Sequence, residues 1–288
     1  MREQRDKRTG AAAGLLAVLF ALLLTAGCGA EPDGMEALKV TVRKVGKADA
    51  IVLQTGDRAM VIDAGEEEDG QELTDFLTRQ KISRVETLII THFDQDHVGG
   101  ADTLVDALEV GQVLLPDYEG EGAEYEDFLD ALDRKKLLPR RLNAPEEFAF
   151  GEASVLAEPP ASYEAKSKGE ADNNFSLITT VTHGENRLVF LGDAQKRRCR
   201  EWLDGGTAGP CGFIKMPHHG VYQSELERLI ETVRPEYAAI CDSRKHPADS
   251  RTLELLKQHD VGTFQTKNGD VTVLSDGRGL EVHQELDQ

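Results

Sequence analysis

Apolar positions recur with two periods along this chain. Near the start, Leu38 to Val45 and Ala50 to Gln54 alternate in the manner of β-strands, and Ala59 to Ile62 forms a third short run that delivers Asp63. The spacing of Leu73, Phe76 and Leu77 is helical, and Val85 to Ile90 is a continuous apolar run that ends at Thr91-His92. Further on, Gln112 to Leu115 reads as a strand, Tyr125, Phe128, Leu129 and Leu132 as a helix face, and Phe148 to Glu158 as a hairpin turning near Gly151. Strands are predicted over Phe175 to Thr182 and Arg187 to Leu191, joined by a turn at His183-Gly184-Glu185-Asn186, with Gly192-Asp193 at the second strand's end. Gly212 to Met216 leads into Pro217-His218-His219-Gly220. Then come a helix near Leu226, Leu229 and Ile230, a strand to Cys241, a helix near Leu253 to Leu256, and closing strands between Gly262 and Val282. Such alternation of strand and helix predicts a layered α/β fold. The segment Pro159 to Asp172, rich in Ala, Ser, Lys, Gly and Glu, reads as a mobile loop within the domain.

The first residues obey a different pattern. Arg2, Arg5, Lys7 and Arg8 precede an apolar run from Ala11 to Gly27, the arrangement of a secretory signal. The run ends in Leu24-Thr25-Ala26-Gly27-Cys28, which looks like a bacterial lipobox with Cys28 as the lipidated residue of the mature chain. An uncleaved membrane helix is the competing interpretation, although about 20 apolar residues are needed to cross a bilayer and this run is shorter. Both place the domain outside the cytoplasm, on a membrane. The expected organisation is a signal over 1–27, a tether over 28–37 and one domain over 38–288, on the extracytoplasmic face of a bacterial cell membrane.

Of the 288 residues, 40% are hydrophobic and 30% charged, a balance that fits a globular domain. Removing the four positive and two negative charges of residues 1–27 takes the net charge from −19 to −21. Counterion release from lysine and arginine drives non-specific nucleic-acid binding, so bulk electrostatics disfavour tight association with DNA. Beyond Cys28 there are three cysteines, an odd number in an oxidising compartment. Cys199 and Cys211 flank a glycine-rich loop and could pair in a disulfide, whereas Cys241 reads as a buried strand residue.

The chemistry concentrates in Thr91-His92-Phe93-Asp94-Gln95-Asp96-His97-Val98-Gly99-Gly100. Crowded carboxylates repel and raise one another's pKa, whereas divalent cations among them reverse that cost. Imidazole with carboxylate suits Zn²⁺, Mn²⁺ or Fe²⁺. Gly99-Gly100 permit the tight backbone that turns the ligands inward. His183 reads as a surface turn residue, and His259 and His283 lack a partner motif, so none of the three is assigned to the site. Ser176 reads as a packing or hydrogen-bonding residue, since no nucleophile elbow surrounds it.

The His-x-Asp-x-Asp-His-x-Gly-Gly run resembles the metal motif of the metallo-β-lactamase superfamily, with Asp94 where histidine is commoner. Together with Val45-Gly46 and Asp49, Asn173-Asn174-Phe175-Ser176-Leu177, Leu191-Gly192-Asp193, Met216-Pro217-His218-His219-Gly220 and Lys245-His246-Pro247, it resembles the extracytoplasmic hydrolase domain of the ComEC competence proteins. The resemblance runs from about Leu38 to the C-terminus. Lys47-Ala48 stands where that branch usually has Gln-Gly, and no separate third-motif histidine is evident.

The resemblance implies a four-layer αββα sandwich in a single domain and two divalent ions, Zn²⁺ first and Mn²⁺ next. His92 and Asp94 are expected to serve one ion, Asp96 and His97 the other, with Asp193 bridging. His218, His219 or both should complete the set, one of them contacting substrate instead. Asp63 supports the ligands from beneath, with Asn173, Asn174 and Ser176 beside them, and Asp96, His218, His219 and His246 are the candidates for proton handling. The implied activity is phosphodiester or nuclease-type hydrolysis through a metal-bound hydroxide. The substrate would be DNA or another phosphoester. A phosphorylcholine-type esterase of envelope polymers is the alternative, and a non-catalytic envelope lipoprotein the reading from another class. No protein partner is inferable.

Overall fold

The structure, a computed structural model, describes residues 35–164 and 171–286. The signal, Cys28 and most of the tether therefore lie outside the described residues, as do residues 165–170 of the loop expected between Pro159 and Asp172. Among the described residues no helix is long and apolar enough to cross a membrane.

Among the described residues, fifteen strands form two sheets. In chain order they are β1 (Leu38–Val42), β2 (Ala50–Thr55), β3 (Arg58–Ala64), β4 (Arg84–Ile89), β5 (Glu109–Pro116), β6 (Arg140–Leu142), β7 (Glu146–Phe150) and β8 (Ala153–Glu158). Then follow β9 (Ile178–His183), β10 (Asn186–Phe190), β11 (Phe213–Lys215), β12 (Tyr237–Ile240), β13 (Gly262–Gln265), β14 (Val271–Ser275) and β15 (Leu280–Gln284). The eight-stranded sheet has the order β15-β14-β1-β2-β3-β4-β5-β6, and the seven-stranded sheet β13-β12-β11-β10-β9-β8-β7. Parallel pairing is confined to β3 through β6 in one and β10 through β13 in the other.

The near-continuous apolar runs arise because each sheet is covered on both faces. Along β2, Ala50 and Val52 face the core beneath helices α1 (Asp69–Arg79), α2 (Gln95–Val98), α3 (Ala101–Ala107) and α4 (Ala123–Lys135), while Ile51 and Leu53 face the opposite sheet. Along β10, Leu188 and Phe190 point between the sheets, and Val189 points to the core under the second helical layer. Following the four-residue α5 (Ala171–Asn174), that layer holds α6 (Lys196–Asp204), α7 (Leu226–Val233) and α8 (Ser250–Gln258). Three cores separated by two sheets make the αββα sandwich implied by the sequence resemblance. Burying a side chain such as Phe128, fully enclosed under α4, contributes about 1.5–3 kcal/mol.

Several local expectations are corrected. The first strand stops at Val42, since Val45, Gly46 and Ala48 form a turn, and β9 starts at Ile178 because residues 171–174 are helical. Helix α6 was not expected, although Cys199, Trp202 and Leu203 fall on one helical face. Its Arg198 is buried, its guanidinium donating to the carbonyls of Ser176 (3.0 Å) and Glu158 (2.6 Å). His183 is not a surface residue. The turn falls on Gly184-Glu185, so His183 ends β9 facing inward, with Nδ1 2.7 Å from Ser275 Oγ. Cys199 and Cys211 are both buried and unbonded to each other, and burial pushes each thiol up to about 12.

Close approach, rather than positive φ, explains the Gly99-Gly100 pair. A Cβ on Gly100 would stand 2.5 Å from the Ala64 carbonyl and 2.6 Å from Gly70 Cα, both backbone atoms with nowhere to move. Gly100→Ala is therefore expected to lower unfolding free energy by about 1–3 kcal/mol, read as a reduced urea midpoint at unchanged slope.

Candidate metal centre

The C-terminal ends of parallel strands from both sheets meet at one place, the position where α/β sheets gather ligands. From the first sheet, β3 carries Asp63 as its next-to-last residue and β4 runs into Thr91-His92. From the second, β10 runs through Gly192 into Asp193 and β11 into His218-His219.

Asp63 organises the first sheet's contribution. It is fully buried with φ of 58°, a conformation that costs a non-glycine residue about 1–3 kcal/mol unless its surroundings hold it there. Its carboxylate accepts the Thr91 N–H and the Thr91 hydroxyl, each at 2.7 Å, and lies 2.8 Å from His97 Nδ1. An acceptor at that position requires a proton on His97 Nδ1, so in the neutral ring Nε2 is the bare nitrogen. The Thr91 hydroxyl, its only proton given to Asp63, must accept from His92 Nδ1 at 3.1 Å, so His92 Nε2 is bare as well. The two rings lie 4.0 Å apart between centroids.

The second sheet supplies the opposing groups. Gly192, at φ of 50°, packs where a Cβ would meet Thr91 at 2.9 Å, and its turn carries Asp193 inward. Asp193 N–H donates to Ser176 Oγ at 3.2 Å. Its Oδ1 lies 3.3 Å from His97 Nε2 and its Oδ2 3.0 Å from His219 Nε2. His218 and His219 both take positive φ, 48° and 51°, in a single turn, and this separates the pair. His219 enters the cluster, with Nε2 also 3.2 Å from Asp96 Oδ2, whereas His218 is turned to the edge, its Nε2 3.5 Å from Asn173 Nδ2.

Of the other expected residues, Asp94 is partly exposed, with Oδ2 3.5 Å from His92 Nε2. Asn174 Oδ1 accepts the Arg198 N–H at 3.1 Å and so steadies the loop before Ser176. His246 is not brought in: it is exposed in the 243–247 turn, its backbone N–H on Ser243 Oγ, and no hydrogen bond or ion pair joins its ring to the cluster among the described residues.

Three charged groups were not anticipated as site residues. Asp49, fully buried, has Oδ1 3.7 Å from His219 Nδ1 and Oδ2 3.8 Å from His97 Nδ1. Lys215, fully buried at the end of β11, pairs with Asp49, donates to the Gly192 carbonyl at 3.1 Å and lies 3.7 Å from Asp193 Oδ1. Lys47, in the β1–β2 turn, pairs with Asp96 Oδ2.

The donor set fits divalent ions. His92 Nε2, His97 Nε2, His219 Nε2 and Asp193 Oδ1 are all buried yet make no hydrogen bond among the described residues. Buried polar atoms without a well-formed hydrogen bond are costly; protons shared across the 3.3 and 3.0 Å contacts of His97 and His219 with Asp193 relieve that cost in the metal-free protein, and a cation would do so in its place. Ligand atoms of His92, His97 and Asp193 lie within 4.8 Å of one another, as do those of Asp96, His97 and His219, and those of Asp49, Asp193 and His219.

Without cations the cluster draws protons. Burial works against charge on His219, but Asp193 and Asp96 raise it to about 9, and Asp193, Asp63 and Asp49 likewise raise His97 against complete burial. Burial would raise Asp193 and Asp96, but the facing imidazoles, joined at Asp96 by Lys47, hold both carboxyls well below the usual carboxylate range. Two outcomes follow. Metal-free protein gains stability from the raised histidines fully below their unfolded value near 6.5 and loses it as pH rises through about 9, so its urea midpoint should fall across that window. Ion binding must expel these protons, so affinity should rise with pH over the same range, with proton release measurable in buffers of different ionisation enthalpy.

The metallo-β-lactamase superfamily profile matches residues 43–241, more than half of the chain. The chain belongs to that superfamily. Within it, the chain is 26% identical over 203 residues to the ComE operon protein 3 of Bacillus subtilis, an alignment covering 69% of this chain and 26% of that protein. It is also 26% identical over 214 residues to Recombination protein 2 of Haemophilus influenzae, covering 73% of this chain and 25% of the other. The chain thus spans about a quarter of the length of these relatives. Among solved structures, the metallo-β-lactamase fold protein YhfI from Bacillus subtilis is similar with a TM-score of 0.55 at 10% identity, over 86% of this chain and 100% of that one. Superfamily membership and the converging donor atoms together describe a metal-dependent hydrolase with candidate sites for divalent metal.

Proposed function

We propose that the chain is a binuclear metal-dependent phosphodiesterase, held to the extracytoplasmic face of the membrane by a lipid on Cys28. The observation that carries the catalytic part is the set of four buried, unbonded donor atoms on His92, His97, Asp193 and His219. His92, Asp94 and Asp193 would hold one ion, and Asp96, His97 and His219 the other, with Asp193 shared. Zn²⁺ suits this mixture of imidazole and carboxylate best and Mn²⁺ next. Ions bound there supply Lewis acidity and water activation at neutral pH.

The chain's own residues do the rest. Asp63 and Thr91 fix the tautomers and aim of His97 and His92, and Ser176 fixes the turn that presents Asp193. His218, whose pKa burial lowers, is neutral at working pH, and its Nε2 beside Asn173 at the cluster's edge is placed to hydrogen-bond a leaving oxygen. Exposed and separate, His246 has no such geometry.

Similarity to proteins named for competence and recombination favours a phosphodiester substrate. The net charge of −19 favours a small or polymer-borne phosphodiester over long DNA, which keeps a phosphorylcholine-type ester as the second reading. Turnover by metal-loaded protein of bis-p-nitrophenyl phosphate, p-nitrophenyl phosphorylcholine, a lactam and a lactone separates the classes. Phosphodiester turnover with silent lactam and lactone is expected. Hydrolysis of the lactam or lactone alone would overturn the proposal.

A further inference from the structure

We propose that the Lys47 ammonium is an internal competitor for the ion held by Asp96, His97 and His219, so that the two ion sites of the proposed centre fill unequally. The inference rests on the binuclear reading above and specifies how one half of it is regulated.

Asp96 has one carboxylate oxygen, Oδ2, aimed at the cluster, and two groups address it: His219 Nε2 at 3.2 Å and Lys47 Nζ. A divalent ion using that oxygen and the His219 nitrogen meets an ammonium already there. Two positive charges sharing one oxygen repel, so the ion must either displace Lys47 or bind against its field. The inner group differs. His92 Nε2 and Asp193 Oδ1 carry no such cation within hydrogen-bonding distance, and Lys215 stands 3.7 Å from Asp193.

The two lysines are built for different behaviour. Lys215 is enclosed in β11, paired with Asp49 and donating to the Gly192 carbonyl at 3.1 Å, so its charge is fixed in place. Lys47 follows Gly46 in the turn between β1 and β2, and its side chain remains 32% exposed, which leaves it a path into solvent. A lysine ammonium, with an ordinary pKa of about 10.4, keeps its proton near neutrality. Displacement by movement is the remaining route. The Lys47 arm is thus a built-in counter-ion: it neutralises Asp96 while the site is empty and swings out when the ion arrives, free to meet an anionic substrate oxygen at the mouth.

Calorimetric titration of Zn²⁺ into the full chain, stripped of metal and kept in detergent, tests this, with bound metal counted by elemental analysis. Two classes of ion are expected in the unaltered chain. Lys47→Gln and Lys47→Met should each tighten the weaker class by at least about tenfold, the effect of removing a unit charge a few ångströms away. Lys47→Arg, which keeps the charge, should titrate like the unaltered chain. Circular dichroism confirms that each variant is folded. Unchanged affinities in both Lys47→Gln and Lys47→Met overturn the inference while leaving the binuclear reading intact. Failure of every form to bind Zn²⁺ overturns both.

Discussion

Asp193→Ala is expected to reduce phosphodiester turnover by on the order of 10³-fold, the upper range for loss of an electrostatic stabiliser in a water-excluded site. Its two carboxylate oxygens approach the Nε2 atoms of His97 and His219, one each, at 3.3 and 3.0 Å. Without it, those two imidazoles lose the group that holds them charged in the empty protein, and ions would lose their shared ligand. Bound metal should fall in parallel, which distinguishes a ligand from a residue that only shapes the pocket. Folding is a separate question because Lys215 lies 3.7 Å from this carboxylate but is paired with Asp49, so its buried charge keeps a partner in the variant. Turnover within a few fold of the unaltered chain, with full metal content, would remove Asp193 from the centre.

The second large effect is expected at Asp63, whose carboxylate is engaged by Thr91 and His97 and acts through them. Asp63→Asn keeps the shape but puts an amide NH₂ against at least one of the donors that now converge on the carboxylate. The tautomers of His97 and His92 are then no longer enforced. Weakening of metal affinity by about 10–100-fold is expected, as for other residues that orient metal ligands. Activity should therefore be lost at limiting metal and recovered at excess, a signature that simple misfolding does not give. Asp63→Ala should do worse. It strands the Thr91 N–H and the His97 Nδ1–H in a buried site, at about 1–3 kcal/mol for each unsatisfied group. Unaltered metal affinity in Asp63→Asn would contradict the tautomer relay.

Much of the site was legible because its residues sit where apolar runs stop. His92, Asp193 and the His218-His219 pair each come just after a strand and Asp63 near the end of one, and polarity at a strand end is conspicuous in sequence. Asp49 and Lys215 were harder because each lies inside or beside a buried run, Ala48-Asp49-Ala50 and Ile214-Lys215-Met216. The signal was nonetheless present, since a charge flanked by buried apolar residues must be paired, and these two pair with each other. Which histidine of the pair enters the cluster could not be read from their adjacency. Two successive positive-φ residues decide it, and that conformation depends on packing rather than on residue type.

The sandwich itself was foreseen through resemblance, while the apolar pattern alone gave only alternating strands and helices. Period-two burial is visible in β2 only once both faces are known to be covered, because Ala50, Ile51, Val52 and Leu53 are apolar without interruption. Helix α6 escaped because four basic residues, Lys196, Arg197, Arg198 and Arg200, obscure the stripe formed by Cys199, Trp202 and Leu203. One of them, Arg198, is itself buried and bonded to carbonyls. His183 closes β9 opposite Asn186 at the expected turn, but its ring points inward to Ser275 instead of to solvent.

The most direct test of the account is a crystal structure of the Zn²⁺-soaked protein with anomalous data collected on both sides of the zinc edge. Two peaks are predicted, one within bonding distance of His92 Nε2 and Asp193, the other within bonding distance of His97 Nε2, His219 Nε2 and Asp193. Absence of zinc from these atoms, or zinc bound only at exposed histidines such as His246 or His283, would contradict it.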